Sequence, residues 1–160
     1  MKFNFQAFSA IYFHEMDRFR RTLMQSLFSP VLSTSLYFIV FGSVIGGYVE
    51  NIDGISYGSY IVPGLLMLTL LTQSISNTSF GIFFPKFNGT IYEILAAPIS
   101  TFEIVLAFVG AGATKTLIVG VVIFITSTFF VEVNVMYPLL MIFLLVLVAF
   151  TFALFGFLIG

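Results

Sequence analysis

Apolar residues fill long stretches of this chain, and polar ones gather in the gaps between them. Runs of 18 or more apolar residues with few charges read as transmembrane helices, because about 20 residues are needed to cross a hydrocarbon layer of about 30 Å. Four runs qualify: Pro30–Gly47, Tyr60–Phe84, Gly110–Val131 and Pro138–Gly160. Membrane-barrel strands would alternate apolar and polar residues, and segments such as LLMIFLLVLVAF do not. The pattern predicts an all-α integral membrane protein, with a transmembrane region over 30–160 and a separate N-terminal helix within 1–29.

Asn4–Phe28 has helical periodicity without being a span, since Glu15, Asp17, Arg18, Arg20 and Arg21 would fall in mid-bilayer. Phe5, Phe8, Tyr12, Met16, Phe19, Leu23 and Leu27 recur every three or four residues and form one apolar stripe. His14, Arg18, Arg21 and Gln25 form the opposite stripe. An amphipathic helix of this kind lies in the membrane interface, its apolar face in lipid and its cationic face toward anionic headgroups. A soluble helix packed on a partner is the alternative. Pro30 is expected to break the chain just before the first span, where a missing N–H costs nothing.

Between the second and third runs lies KFNGTIYEILAAPISTFE, Lys86–Glu103. Tyr92, Glu93, Ile94 and Leu95 sit at helical spacing there, and Pro98 ends the stretch. Two spans can be joined by fewer residues, so a short helix in this joint is expected to meet a partner surface.

Composition fixes the class. The chain is 59% hydrophobic and 8% charged, against about 25% charged residues in a soluble domain. Basic residues set orientation: Lys2, Arg18, Arg20 and Arg21 precede the first span, none lies in Tyr48–Ser59, Lys86 lies in the next loop, and Glu132 alone represents charge in the last. The positive-inside rule then puts the N-terminus and the Lys86–Glu103 loop in the cytoplasm. Tyr48, Tyr57, Tyr60 and Tyr137 are read as the outer aromatic belt. Gly42 and Gly46 make a G-x-x-x-G pair that permits close helix approach. With no cysteine there is no disulfide or thiolate metal site, and no basic patch outside the N-terminal segment suggests nucleic acid. The closing FGFLIG carries no basic anchor, which raises the expectation that the chain is a fragment.

Candidate chemistry is sparse. GAGATKT, Gly110–Thr116, fails as a phosphate loop because Thr114 stands where a glycine must precede the lysine, and because it opens an apolar helix. Lys115 reads as a snorkelling lysine near the cytoplasmic end of the third span, with a buried ion pair as the alternative. Thr69, Gln73, Ser76 and Asn77 share one face of the second span. That face is either the wall of a substrate path or a set of interhelical hydrogen bonds. His14 is the only histidine, and Glu93 and Glu103 have no His or Asp beside them, so no catalytic group and no metal site are expected.

The stretches LYFIVFGSVIGG (Leu36–Gly47) and YIVPGLLMLTLLTQSISNTSFGIFFPKFNGTIYEILAAPIS (Tyr60–Ser100) resemble the permeases of bacterial inner-membrane ABC-2 type exporters. YIVPG, KF followed by a helix, and EILAAPIS are the specific parts. The resemblance implies six membrane helices, of which this chain holds the first four, and a dimer of permeases. It also implies two separately encoded ABC ATPase subunits on the cytoplasmic face, which bind the ATP and magnesium; no cofactor is expected in this chain. The N-terminal helix would be the interface helix, with Phe8, Tyr12, Met16, Arg18 and Arg21 on its two stripes. Thr90, Tyr92, Glu93, Leu95, Ala97 and Pro98 would form the coupling helix seated in an ATPase groove.

The expected function is therefore outward movement of a substrate by a permease driven from a partner chain. An ion-coupled secondary transporter would want acidic or His residues inside the spans, and the four runs hold none well within them. A membrane enzyme would want a triad or metal cluster. A non-transporting assembly subunit is the remaining alternative.

Overall fold

The computed structural model describes residues 4–45, 56–131 and 135–160. The chain is all helix among these residues: α1 (Phe5–Arg21), α2 (Leu23–Tyr37) continued by a π-helical stretch (Phe38–Ile45), α3 (Tyr57–Phe87), α4 (Ile91–Ala96), α5 (Thr101–Phe130) and α6 (Pro138–Ile159). Among the described residues four helices are long and apolar enough to cross a membrane: Leu23–Phe41, Tyr57–Phe87, Thr101–Phe130 and Pro138–Ile159. Gly46, Tyr48, Glu50, Asp53 and Glu132, and with them the G-x-x-x-G pair, lie outside the described residues.

The starts of α1, α3, α5 and α6 have local causes. The Asn4 side chain accepts the Ala7 N–H, the Ser56 hydroxyl accepts the Ser59 N–H, and Pro138 opens α6 at a position needing no N–H donor. At α5 a full capping box forms: the Ser100 hydroxyl accepts the Glu103 N–H while the Glu103 carboxylate accepts the Ser100 N–H. The third span consequently begins at Thr101, nine residues before the Gly110 start expected from hydropathy. The end of α3 is set by Gly89, whose φ of 78° is the left-handed conformation that glycine adopts without strain.

The break before the first span falls at Thr22, not at Pro30. Thr22 leaves helical geometry (φ −105°, ψ 15°), and its hydroxyl and N–H both turn back on the carbonyls of Arg18 and Phe19. Those carbonyls are satisfied without a continuing helix, so the chain can bend there. Pro30 sits buried within α2, in line with the tolerance of membrane helices for proline.

α5 is the hub. It packs against α1, α2, α3 and α6, and α3 packs in turn on α6. Small residues let the backbones meet. The space beside Gly156 is filled by the Ile75 backbone, the Ser74 hydroxyl donates to the Ala149 carbonyl at 2.6 Å, and Ala149 and Ala153 are fully buried. One turn either side of Ser74 on α3, Gly112 of α5 lies against Thr78 and Gly120 against Leu70. This is the small-residue packing that membrane helices use where no hydrophobic effect draws them together.

The apolar stripe of α1 does not face lipid along its whole length. Phe19 is buried with Val119 and Ile123, and Met16, Leu23 and Leu27 pack around them. Phe5 stays exposed. Contacts advance in the same direction on both helices, from Asn4 at Glu103, through Tyr12 at Thr114 and Glu15 at Lys115, to Phe38 stacked on Phe130. The N-terminal segment and α2 therefore run alongside α5, parallel to it.

Candidate functional site

The loop helix α4 is short and two-faced. Ile91 and Ile94 pack with Ile99 onto the cluster of Ile82, Ile104 and Phe108, so the inner face belongs to the ends of α3 and α5. Tyr92 is 74% exposed and Leu95 60% exposed, side by side on the outer face. Glu93 is exposed in the first turn, and Pro98 is exposed just beyond the C-cap. Thr90 is the N-cap residue, though its hydroxyl makes no capping bond, and Ala97 is the extended C-cap. An aromatic and a leucine standing free on a helix held from behind make an anchor surface for a partner pocket.

Behind this surface lies a group of charges that reading the sequence element by element does not assemble. Lys115 Nζ meets Glu15 Oε2 at 2.7 Å, and Arg18 Nη2 meets the same oxygen at 2.9 Å. The Glu15 and Lys115 side chains are 3% and 4% exposed. Lys115 thus does not snorkel; it is withdrawn from the surface because α1 brings a carboxylate to it. Arg18, placed on a solvated stripe by periodicity, instead holds Glu15 while its guanidinium stands 5.9 Å from the centre of the Phe84 ring. Gly81 brings α3 to the same group, its Cβ position lying at ordinary contact distance, 3.5 Å, from Glu15 Oε2. Three helices therefore meet at one carboxylate.

Glu103 is a second joint. Its Oε1 accepts the Asn4 N–H at 2.6 Å and its Oε2 accepts the Ser100 N–H at 2.9 Å, with the residue 4% exposed. The sequence signal for it was the S-x-x-E pattern at Ser100; for Glu15 there was only an acid inside an apolar periodicity.

The expected interface-helix residues are divided among these contacts. Phe8 stacks on Tyr12, with ring centres 6.1 Å apart, and the Tyr12 hydroxyl donates to Thr114 Oγ1 at 3.0 Å. Met16 packs beside Phe19, and Arg21 is exposed in the last turn of α1. The polar face of the second span is divided too. Thr69 and Gln73 line a cleft of about 180 Å³ with Ser33, Thr34 and Tyr37 of α2. Asn77 instead donates to Thr116 Oγ1 at 3.5 Å on α5, and Ser76 is exposed. Of the four, Thr69 and Gln73 line this cleft and Ser76 and Asn77 do not. Among the described residues no cluster of His, Asp or Glu could hold a metal ion.

Comparison with known proteins identifies a family. The profile of the ABC-2 type transporter family matches residues 6–160. An Escherichia coli K12 protein described as an inner membrane transport permease, YadH, is 38% identical over 154 residues, 96% of this chain and 60% of its own length. Its counterparts from Escherichia coli O157:H7 and Shigella flexneri match to the same extent. The chain thus spans about 60% of the length of these curated relatives. No solved structure matches. With almost its whole length under one family profile, and with helices of the number and length that membrane proteins need, the chain belongs to the ABC-2 type transporter family.

Proposed function

We propose that this chain is the membrane part of an ABC exporter permease of the bacterial inner membrane, driven by ATP hydrolysis in separate ATPase subunits that contact α4. The observation that carries the reading is the exposed Tyr92–Leu95 face of a helix whose other face is locked into the bundle. Helix lengths support it. α3 and α5 have 31 and 30 residues, about 45 Å each at 1.5 Å per residue, against a hydrocarbon layer of about 30 Å. Their excess at the shared end carries α4 clear of the bilayer, and the basic-residue bias makes that side cytoplasmic. Substrate moves outward, in this reading, between two permease copies, with Thr69 and Gln73 of the α2–α3 cleft nearest its path.

The ion-coupled alternative is disfavoured by the carboxylates themselves. Glu15 and Glu103, which the fold brings against the spans, are both engaged, one by two cations and the other by two backbone N–H groups. Neither is open to a transported cation.

The test is co-purification. Tyr92→Ala with Leu95→Ala in the full-length permease is expected to abolish recovery of the ATPase with the permease and to end substrate-stimulated hydrolysis, with membrane insertion intact. Unchanged recovery and hydrolysis would make α4 a connector only.

A further inference from the structure

The polar contacts between α1 and α5 keep step. Asn4 N–H reaches Glu103 at 2.6 Å, the Tyr12 hydroxyl reaches Thr114 at 3.0 Å and Glu15 reaches Lys115 at 2.7 Å, across sequence separations of 99, 102 and 100. The first contact uses the same carboxylate that caps α5 where the chain leaves the α4 loop. One side chain therefore joins the exit of α4, the start of α5 and the start of α1.

Apolar contacts alone do not fix such a register. A helix that slides by one turn, about 5.4 Å, exchanges one set of aliphatic neighbours for another. The polar set allows no such exchange, because a slip would leave Glu15 with Arg18 of its own helix alone and strand Lys115 unpaired in the interior, where a lone charge is costly. A buried ion pair is weak ground for stability, since apolar residues can pack as well. What it supplies here is a single alignment of two helices.

We propose that α1 and α5 move as one body through the transport cycle, clamped by Glu103 at the loop and by Glu15 between Lys115 and Arg18 farther along the span. A displacement of α4 then reaches the N-terminal helix as directly as it reaches the span. Glu15, Lys115 and Glu103 are positioning residues in this scheme, and none of them touches substrate. The inference rests on the reading of α4 as the ATPase contact.

The experiment uses full-length permease with its ATPase in proteoliposomes. Tyr12→Cys with Gly110→Cys places two thiols across the α1–α5 seam, since Tyr12 lies 3.9 Å from where a side chain at Gly110 would begin. Both carboxylate clamps remain in this variant. A short bifunctional thiol reagent should link the pair in high yield, and the linked complex should transport as the unlinked one does. Loss of transport on linking, with the ATPase still bound, would show that α1 must slide over α5 and would overturn the proposal.

A second arm reads the clamp itself. Glu15→Gln or Lys115→Gln should lower the linking yield and uncouple hydrolysis from transport while the ATPase still co-purifies. Exchanging the two, Glu15→Lys with Lys115→Glu, keeps one carboxylate between two cations and should restore both readouts. Full coupling in the single variants, or no recovery in the exchange, would overturn the clamp. Failure of the ATPase to co-purify with the unaltered permease would instead sink the reading of α4, and the linking yields in membranes alone would still decide whether the charges hold α1 in register.

Discussion

Glu15 and Lys115 are separated by 100 positions in the chain and by 2.7 Å in the fold. The carboxylate is shared, because the oxygen that receives Lys115 also receives Arg18. This makes the three residues unequal. Lys115→Met leaves Glu15 still paired with Arg18, whereas Glu15→Gln leaves two cations facing each other with no counter-charge. Glu15→Gln should therefore destabilise more, by about 3–5 kcal/mol, the usual cost of breaking a buried pair from one side. Replacing both with apolar residues, Glu15→Leu with Lys115→Met, should recover most of the loss. Arg18→Glu would set two carboxylates together and should be far from mild. Thermal unfolding of the detergent-solubilised protein measures each, and equal effects of Lys115→Met and Glu15→Gln would contradict the shared arrangement.

Gly156 tests the close approach of α3 and α6. A Cβ there would stand 2.6 Å from the Ile75 carbonyl oxygen and 2.9 Å from its Cα, which are backbone atoms that cannot step aside without moving the helix. Gly156→Ala should cost about 1–3 kcal/mol, as overpacking typically does. Gly64, with nothing within 4 Å of the same position, is the control. Gly64→Ala should leave stability unchanged, or raise it slightly through the better helix propensity of alanine. Matching behaviour of the two variants in thermal unfolding would mean that α3 and α6 have room for a side chain between them.

Hydropathy and period were enough to locate the four long helices and the helix inside the loop, because span length and amphipathic spacing are local properties of sequence. Boundaries were less legible. Pro30 is a strong breaker in water but a tolerated residue in a membrane helix, while the bend at Thr22 depends on a hydroxyl competing for backbone carbonyls. Thr101–Glu103 falls inside the polar Lys86–Glu103 stretch, yet the Glu103 carboxylate is what caps the helix. The charged cluster was the least legible. Glu15 and Lys115 each looked like a charge seeking solvent, and only the parallel course of α1 and α5 makes them partners. Of the expected polar path, Thr69 and Gln73 face α2 while Asn77 turns to α5, a division set by how the helices cross and not by spacing along one of them.

The inner and outer faces of α4 should separate in mutagenesis. Ile91 and Ile94 are wedged against Ile82, Ile104 and Phe108. Ile91→Ala with Ile94→Ala should lower the unfolding temperature, each truncation costing up to about 2–5 kcal/mol and less where the site is only partly buried. Tyr92→Ala and Leu95→Ala, on the free face, should leave that temperature unchanged. A drop with the outer pair as large as with the inner pair would mean that α4 is covered on both sides within the bundle.

Orientation can be read with single cysteines, since this sequence contains none. Asn88 stands in the turn between α3 and α4, Ser56 caps the far end of α3, and Met136, 85% exposed, precedes α6. If basic residues hold the N-terminus and the α4 loop in the cytoplasm, a membrane-impermeant thiol reagent added to intact cells should label Ser56→Cys and Met136→Cys. Asn88→Cys should react only after the membrane is opened. The two ends of α3 are separated by about 45 Å of helix, so the spared and labelled positions must fall on opposite sides of the bilayer if α3 crosses it. Labelling of Asn88→Cys from outside would invert the topology and remove α4 from the reach of a cytoplasmic ATPase, whereas labelling of all three in intact cells would show that α3 does not span.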